Sequence, residues 1–593
     1  MAALFTTPKR NDTTAGTHVA EPDVRRRIGL AHGSWRRVTR RIVAGAVCAL
    51  TVSSLLMPSV SLAAEWVKVG GNKYNTAASD EAGTWSWDGA DDLKLNNYNG
   101  GEIQAAGKLN VNYSGTNIVT AEWIESINVS HGTNENAELN IQGDEGGTLS
   151  VTSTEDAILS TGNINIDGAG SVNATSTGFD AINAGGDLAI KGSGNVNATG
   201  ASDGIRANGN ITIDDSGAIT ARATKDKGIG ADKNLTIKGG GTVEASSADG
   251  EALWSGGNIN ISDGSQVKAS SEKDAAVEAK GSLAVTNASL DASGVEYGVY
   301  AYKGVTLDHA TVTVHTSANG GQAIALITDG DDIVIKNGST VDAFAEGEVS
   351  AAFSTRNDRP NEKGGHIYIS DSVVKAIARY VENGDGPIPY SENQDGETRR
   401  EPQGENIGII AQTSEGVTPA VISIIRSKVT AEGDTAAIFA RAMSADGKTI
   451  GTIKIENAAI QTPEGGKVID YRKLRDGIYE AGQAIGTGDA TVDSLYIKAV
   501  AKSTTIAPPE VAKPEDPKPD ETKPAESKPA ESKQNPKPEG SKPIKAVAAS
   551  TTKAKTTGVL AATGDTSGAA IVATVLAGTA AIAAGTMASR KRS

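Results

Sequence analysis

Asp180-Ala181-Ile182-Asn183-Ala184-Gly185-Gly186-Asp187-Leu188-Ala189-Ile190-Lys191-Gly192 is echoed 23 residues later by Asp203-Gly204-Ile205-Arg206-Ala207-Asn208-Gly209-Asn210-Ile211-Thr212-Ile213-Asp214. Each copy holds an apolar anchor, a glycine-rich step, and a short run in which apolar residues alternate with polar ones. Alternation marks a strand with one buried face. Working outward, the anchors are Ile158, Ile182, Ile205, Ile229, Leu253, Val277, Val299 and Ile324, at steps of 24, 23, 24, 24, 24, 22 and 25 residues. A second stretch gives Ile164/Ile166, Leu188/Ile190, Ile211/Ile213, Leu235/Ile237, Ile259/Ile261, Leu283/Val285 and Val305/Leu307. A third gives Val172, Val196, Ile219, Val243, Val267, Leu290 and Val312, each followed two positions on by Ala174, Ala198, Ala221, Ala245, Ala269, Ala292 and then Val314.

Three strands in about two dozen residues leave no room for crossover helices. Such a unit stacks only by winding, each strand pairing in parallel with its equivalent one coil on, at a rise of ~4.8 Å. The expected fold is therefore all-β: a right-handed parallel β-helix, or solenoid, with three short strands per coil. Gly185-Gly186, Gly209-Asn210 and Gly256-Gly257 supply corners with unusual backbone angles. Weaker copies flank the block at Leu139/Ile141, Leu149/Val151, Ile333/Ile335, Ile367/Ile369, Ile422/Ile424 and Ile453/Ile455. The coils are expected over residues 103–506. An N-terminal cap is expected over 65–102, where Trp66, Trp85 and Trp87 would cover the open end. A β-sandwich array would show hairpin turns and less even spacing.

Composition agrees with a narrow interior. The chain has 593 residues, with 69 Gly but only 5 Phe and 4 Met, and aromatics make up 4%. Its one cysteine, Cys48, lies in an N-terminal apolar run, so the rest of the chain has no disulfide or thiolate metal site. Residues 65–564 carry 44 basic and 68 acidic side chains, a net charge of −24. That balance argues against nucleic acid and anionic membranes as partners.

Both ends carry addresses. Arg36, Arg37, Arg40 and Arg41 precede an apolar run from Ile42 to Leu62, and small residues at 61–64 offer a cleavage site. Residues 1–64 read as a signal peptide. Residues 507–559 read as a stalk, with repeats such as Lys513-Pro514-Glu515 and Lys518-Pro519-Asp520 that favour an extended polyproline conformation. Residues 560–593 begin with Leu560-Ala561-Ala562-Thr563-Gly564, run through an apolar span at 568–588 and end on Arg590, Lys591 and Arg592. As a helix the span is ~31 Å long, enough to cross a hydrocarbon core. This order resembles the sorting signal read by sortases of Gram-positive bacteria, in a Leu-Ala-x-Thr-Gly form. The resemblance implies cleavage after Thr563, amide linkage of Thr563 to peptidoglycan, and a protein fixed to the cell wall after its precursor passes the plasma membrane.

The repeats resemble a bacterial parallel β-helix family described as carbohydrate-binding domain-containing proteins, related in shape to pectate lyases. Asp156-Ala157-Ile158, Asp180-Ala181-Ile182 and Asp203-Gly204-Ile205 carry the resemblance, with Trp87-Asp88-Gly89 ahead of them. It covers roughly residues 85–345. It implies binding of acidic plant polysaccharide, with calcium as a possible companion.

Candidate site residues fall in two sets. Asp156, Asp180 and Asp203 recur two positions before the anchors, followed by Lys227 and Glu251. Stacked carboxylates ~4.8 Å apart repel one another and invite a cation; oxygen ligands suit Ca²⁺, although no cofactor is required. The competing reading is that these residues cap turns. Trp254, Tyr297, Tyr300 and Tyr302 are candidates for stacking on sugar rings, with packing on a neighbouring coil as the competing reading. His309, His315 and His366 read as isolated, outward-facing strand residues. No catalytic set stands out. The function expected is a wall-anchored protein that binds an extracellular polysaccharide or host glycan without catalysis. The alternatives are a surface polysaccharide lyase or hydrolase and a structural spacer.

Overall fold

The structure, a computed structural model, describes residues 63–509, with breaks at 122–126, 131–136, 216, 319–320, 358–363, 382–390, 393–397, 400–404, 476, 489–490 and 496. Most of the expected leader and stalk, and the whole sorting signal with its apolar span at 568–588, lie outside the described residues. Within them the chain is all-β, with no helix.

Each coil contributes one strand to each of three sheets. In the coil that starts at Ile182, sheet one receives Ile182–Ala184, sheet two Leu188–Gly192 and sheet three Val196–Gly200. From each strand to its equivalent in the next coil the pairing is parallel and in register. Ile158, Ile182, Ile205, Ile229, Leu253, Val277 and Val299 pair in succession along sheet one. The second apolar stretch pairs in the same way along sheet two. The third pairs along sheet three. The flanking copies join the same ladders, Leu139/Ile141 at one end and Ile453/Ile455 at the other. This is a three-sheeted stack of coils, a β-helix solenoid. Inward positions form one continuous core, and polar residues alternate outward. The alanine column fills the narrow part of that core, with Ala198, Ala221, Ala245 and Ala292 wholly buried.

The corner between sheets two and three becomes regular in the later coils. Asp263, Asn287, His309, Asn337 and Asp371 all adopt φ between 48° and 58° there. Asn and Asp tolerate this left-handed region better than most residues. His309 is therefore an exposed corner residue, not the strand residue expected, and its Nδ1 lies 3.1 Å from the Asn337 carbonyl. His366 also departs from expectation. It is buried, with its Nδ1 accepting the Val421 amide at 3.1 Å, and burial lowers its pKa. His315 does lie on an exposed strand position, edge-on to Phe344.

From Tyr297 onward sheet one changes character. Its strands lengthen to Gln322–Asp329, Val349–Asn357, Asn406–Thr413 and Ala436–Ser444, and nearly every residue in them is buried. A second apolar cluster covers the outer face, joining Ile327, Ile410 and Phe439 to Tyr471, Val492, Leu495 and Val500. Spacing alone misplaces one rung here. Val299 pairs with Leu326, and Ile324 pairs with Tyr297 and belongs to the outer cluster. With both faces apolar, the alternation that marks the inward residue is lost.

Both ends close with antiparallel strands. Val67–Val69 pairs antiparallel with Asn72–Tyr74 and with Ile103–Ala106. Trp85–Trp87 pairs antiparallel with Asp92–Asn96, which already runs parallel to the next strand of sheet two. Trp85 and Trp87 are buried in the core, whereas Trp66 is half-buried beneath the Lys73 ammonium. At the other end the last parallel strand of sheet two is Thr452–Glu456. After it, Ile478–Gly486 and Ser503–Ala507 pair antiparallel with sheets one and three. The expectation of coils to 506 therefore overruns the parallel stack by an antiparallel cap.

Candidate functional site

The acidic column stands at the entrance to sheet one, and its oxygens face backbone donors. The Asp180 amide donates to Asp156 Oδ1 at 2.9 Å, the Asp203 amide to Asp180 Oδ1 at 2.9 Å, and the Lys227 amide to Asp203 Oδ1 at 2.6 Å. Each carboxylate thus caps the equivalent residue one coil on. Asn183 Nδ2 donates to Asp156 Oδ2 at 3.1 Å, and Arg206 lies 3.8 Å from Asp203 Oδ2. Asp180 and Asp203 are buried, Asp203 to 1% exposure. Burial is the main reason that the carboxyl of Asp180 is pushed up to about 6 and that of Asp203 to about 7.

Asp156, Asp180 and Asp203 are not among the described groups of three acidic side chains whose ligand atoms all lie within 4.8 Å of one another. Asp156 and Asp203 are two coil steps apart, ~9.6 Å at the usual strand spacing. Oxygens held at about 2.3–2.6 Å from one Ca²⁺ cannot be much more than ~5 Å apart. Among the described residues, the one group of three acidic side chains whose ligand atoms all lie within 4.8 Å of one another is Asp88, Asp91 and Asp92 in the N-terminal cap. There Asp88 Oδ1 already accepts the Ala90 and Asp92 amides, and Asp92 Oδ1 accepts Asn110 Nδ2.

The four aromatic candidates share the outer face of sheet one. Trp254 pairs with Glu278, and Glu278 with Tyr300, along one outward column. The tyrosines spend their ring faces on each other. Tyr300 and Tyr302 stack at 4.4 Å, Tyr297 tilts against Tyr300 at 5.0 Å, and Lys280 Nζ sits 4.2 Å over the Tyr302 ring. Tyr300 is buried and begins the outer apolar cluster, with Tyr297 and Tyr302 packed against it. Trp254 is half-buried, and Lys227 lies 5.2 Å from its ring. Beside it Glu251 is pushed up to about 7, first by burial and next by a hydrogen bond with the Glu278 carboxyl. Carboxyls close enough to hydrogen-bond are nearer than the ~5 Å or more that separates the working pair of a glycosidase.

A groove that sequence reading missed lies along sheet two. Its corner is an amide ladder. The Asp187 amide donates to Asn163 Oδ1, the Asn210 amide to Asp187 Oδ1, the Asn234 amide to Asn210 Oδ1, and the Asn258 amide to Asn234 Oδ1, at 2.7–3.3 Å. Next to the corner, outward positions carry Asn165, Thr212, Thr236 and Asn260, with Ala189 leaving a hollow beside Lys191. Towards the N-terminal end, Asn110, Asn140 and Asn165 pass hydrogen bonds from amide to amide at 2.8 Å. The groove is open to solvent and lined by side chains that both donate and accept. A signal was present in the sequence: Asn or Asp recurs at 163, 187, 210, 234 and 258, at the same step as the anchors. Attention to the apolar anchors hides it.

Comparison of the chain with family models, with curated proteins and with solved structures found no match.

Proposed function

We propose that this protein is exported, fixed to a Gram-positive cell wall, and displays a right-handed β-helix that holds an extracellular glycan without catalysing its cleavage. The observation that carries the binding reading is the open, amide- and hydroxyl-lined groove of sheet two, because paired donors and acceptors suit sugar hydroxyls. The right-handed sense follows the near-universal hand of connections between parallel strands in one sheet. Calcium has no role in this reading, since the column of Asp156, Asp180 and Asp203 is spent on backbone amides.

The binding reading is tested by applying the full chain to a glycan array and assaying the bound glycans for new reducing ends. Retention on at least one polysaccharide without new ends is expected. Retention on none removes the binding reading, and new ends replace it with the lyase or hydrolase reading.

The display reading rests on residues 1–64 and 507–593. Sortase would cut between Thr563 and Gly564 and pass Thr563 to peptidoglycan, leaving residues 507–559 to thread the wall. Thr563→Ala should shift the protein from the wall fraction to the membrane fraction, held by 568–588. An unchanged wall fraction would sink the sorting assignment.

A further inference from the structure

The groove of sheet two has a direction and a period, and these narrow its ligand. Its rungs recur once per coil, ~4.8 Å apart, along the axis of the stack. From Asn163 to Asn258 it crosses four coil steps, ~19 Å in all. A ligand can repeat the same contact at each rung only if its own repeat matches that step and its chain stays extended. One ring of an extended β-linked polysaccharide has a rise close to this value. A glycan that coils would leave the groove after a rung or two, and an extended peptide repeats its side-chain pattern over a longer step than one coil.

The lining also selects for charge. Asn165, Thr212, Thr236 and Asn260 offer neutral groups that donate and accept. Asp187 offsets Lys191 within the groove, and Asp214 on the rim is paired to Lys238 at 2.8 Å. No excess of positive charge awaits a carboxylated sugar, and the surrounding chain is strongly acidic. At the N-terminal end Asn110, Asn140 and Asn165 bond one to the next. The column breaks at Ala189, which has no polar group to continue it, and the hollow begins there.

We propose that this groove seats a neutral, extended, β-linked glycan lying along the stack axis, with one sugar ring over each coil and about four rings held at once. The proposal rests on the glycan-binding reading and departs from the acidic polysaccharide that the family resemblance implies. It is tested by calorimetry of the full chain with cello- and chito-oligosaccharides from dimer to hexamer, and with oligogalacturonates of the same lengths. Affinity for one neutral series should climb to about the tetramer and then level off. Thr236→Arg, which places a bulky side chain on an outward position of the groove, should weaken that binding about tenfold or more. Thr220→Arg, outward on sheet three, should leave it unchanged. Neutral binding that survives Thr236→Arg, or tighter binding of oligogalacturonates, would overturn the assignment while leaving glycan binding in place. If none of these oligosaccharides binds, the assignment fails, and a hit on the wider array would then preserve the broader reading at another face.

Discussion

Replacing Arg441 with Met is expected to destabilise the C-terminal end of the stack by about 3–5 kcal/mol. Arg441 is buried, its guanidinium 5.8 Å from the Phe439 ring centroid. Its Nε and Nη2 donate to Gln412 Oε1 at 2.9 and 2.6 Å, its Nη1 reaches Glu405 Oε2 at 3.1 Å, and Glu480 Oε2 lies at 4.0 Å. Burial works against its charge, but Glu405 and then Glu480 outweigh it, so the guanidinium is held firmly protonated. Glu480, itself buried, accepts a further bond from the Tyr471 hydroxyl at 3.3 Å. Met keeps much of the volume and removes the positive charge that Glu405 and Glu480 share. Amide hydrogen exchange should show protection falling in Ala436–Ser444 and Ile478–Gly486 while the coils from Ile158 to Ala279 keep theirs, because a solenoid couples mainly neighbour to neighbour. Adding Glu405→Gln and Glu480→Gln to Arg441→Met should recover much of the stability. Unchanged protection in the single variant would show that the cluster is hydrated and its charges dispensable.

That cluster also marks where the sequence stops being readable. From Ile158 to Ala292 most strands have one wet face, so alternation and a near-constant step identify the inward residues and their partners. Beyond Tyr297 sheet one is dry on both sides. Ile324, Leu326 and Ile327 are all apolar, and nothing local says which belongs inside. The covering residues, Tyr471, Val492, Leu495 and Val500, arrive from a cap distant in sequence, and no spacing rule links them to Phe439. The acidic column was legible as a column, but its chemistry was not. Whether Asp203 faces water, a cation or the Lys227 amide depends on a corner geometry that sequence does not specify. The tyrosines fail as a platform for a related reason: composition says they are present, and only packing says their faces are taken. The amide ladder of sheet two lay in plain view at the repeat step. The apolar anchors recur at the same step and draw the eye from it.

Asp203→Asn should stabilise the chain at pH 8, on the order of 3 kcal/mol, and should do little at pH 4. Asn keeps an Oδ1 to accept the Lys227 amide, so the cap survives, and only the ionisation is removed. The sign follows from linkage. The carboxyl of Asp203 stands at about 7 in the folded chain, against an ordinary value of 3.8, chiefly because it is buried and next because Asp180 lies one rung away. Between pH 4 and pH 7 the folded chain therefore holds a proton that the unfolded chain has released. In that window the unfolded state binds fewer protons, so stability falls as pH rises, opposite to the usual behaviour of a paired carboxylate. Asp180, pushed up to about 6, adds a slope of the same sign over the lower part of the window. Urea unfolding of wild-type and Asp203→Asn chains at closely spaced pH values should give curves that converge near pH 4 and separate steadily up to pH 7. Curves that stay parallel across this range would mean that Asp203 ionises as freely as in water. A wild-type chain that gains on the variant as pH rises would mean that a cation or an unsuspected positive charge stabilises the ionised column, and the capping assignment would then give way to an ion-binding one.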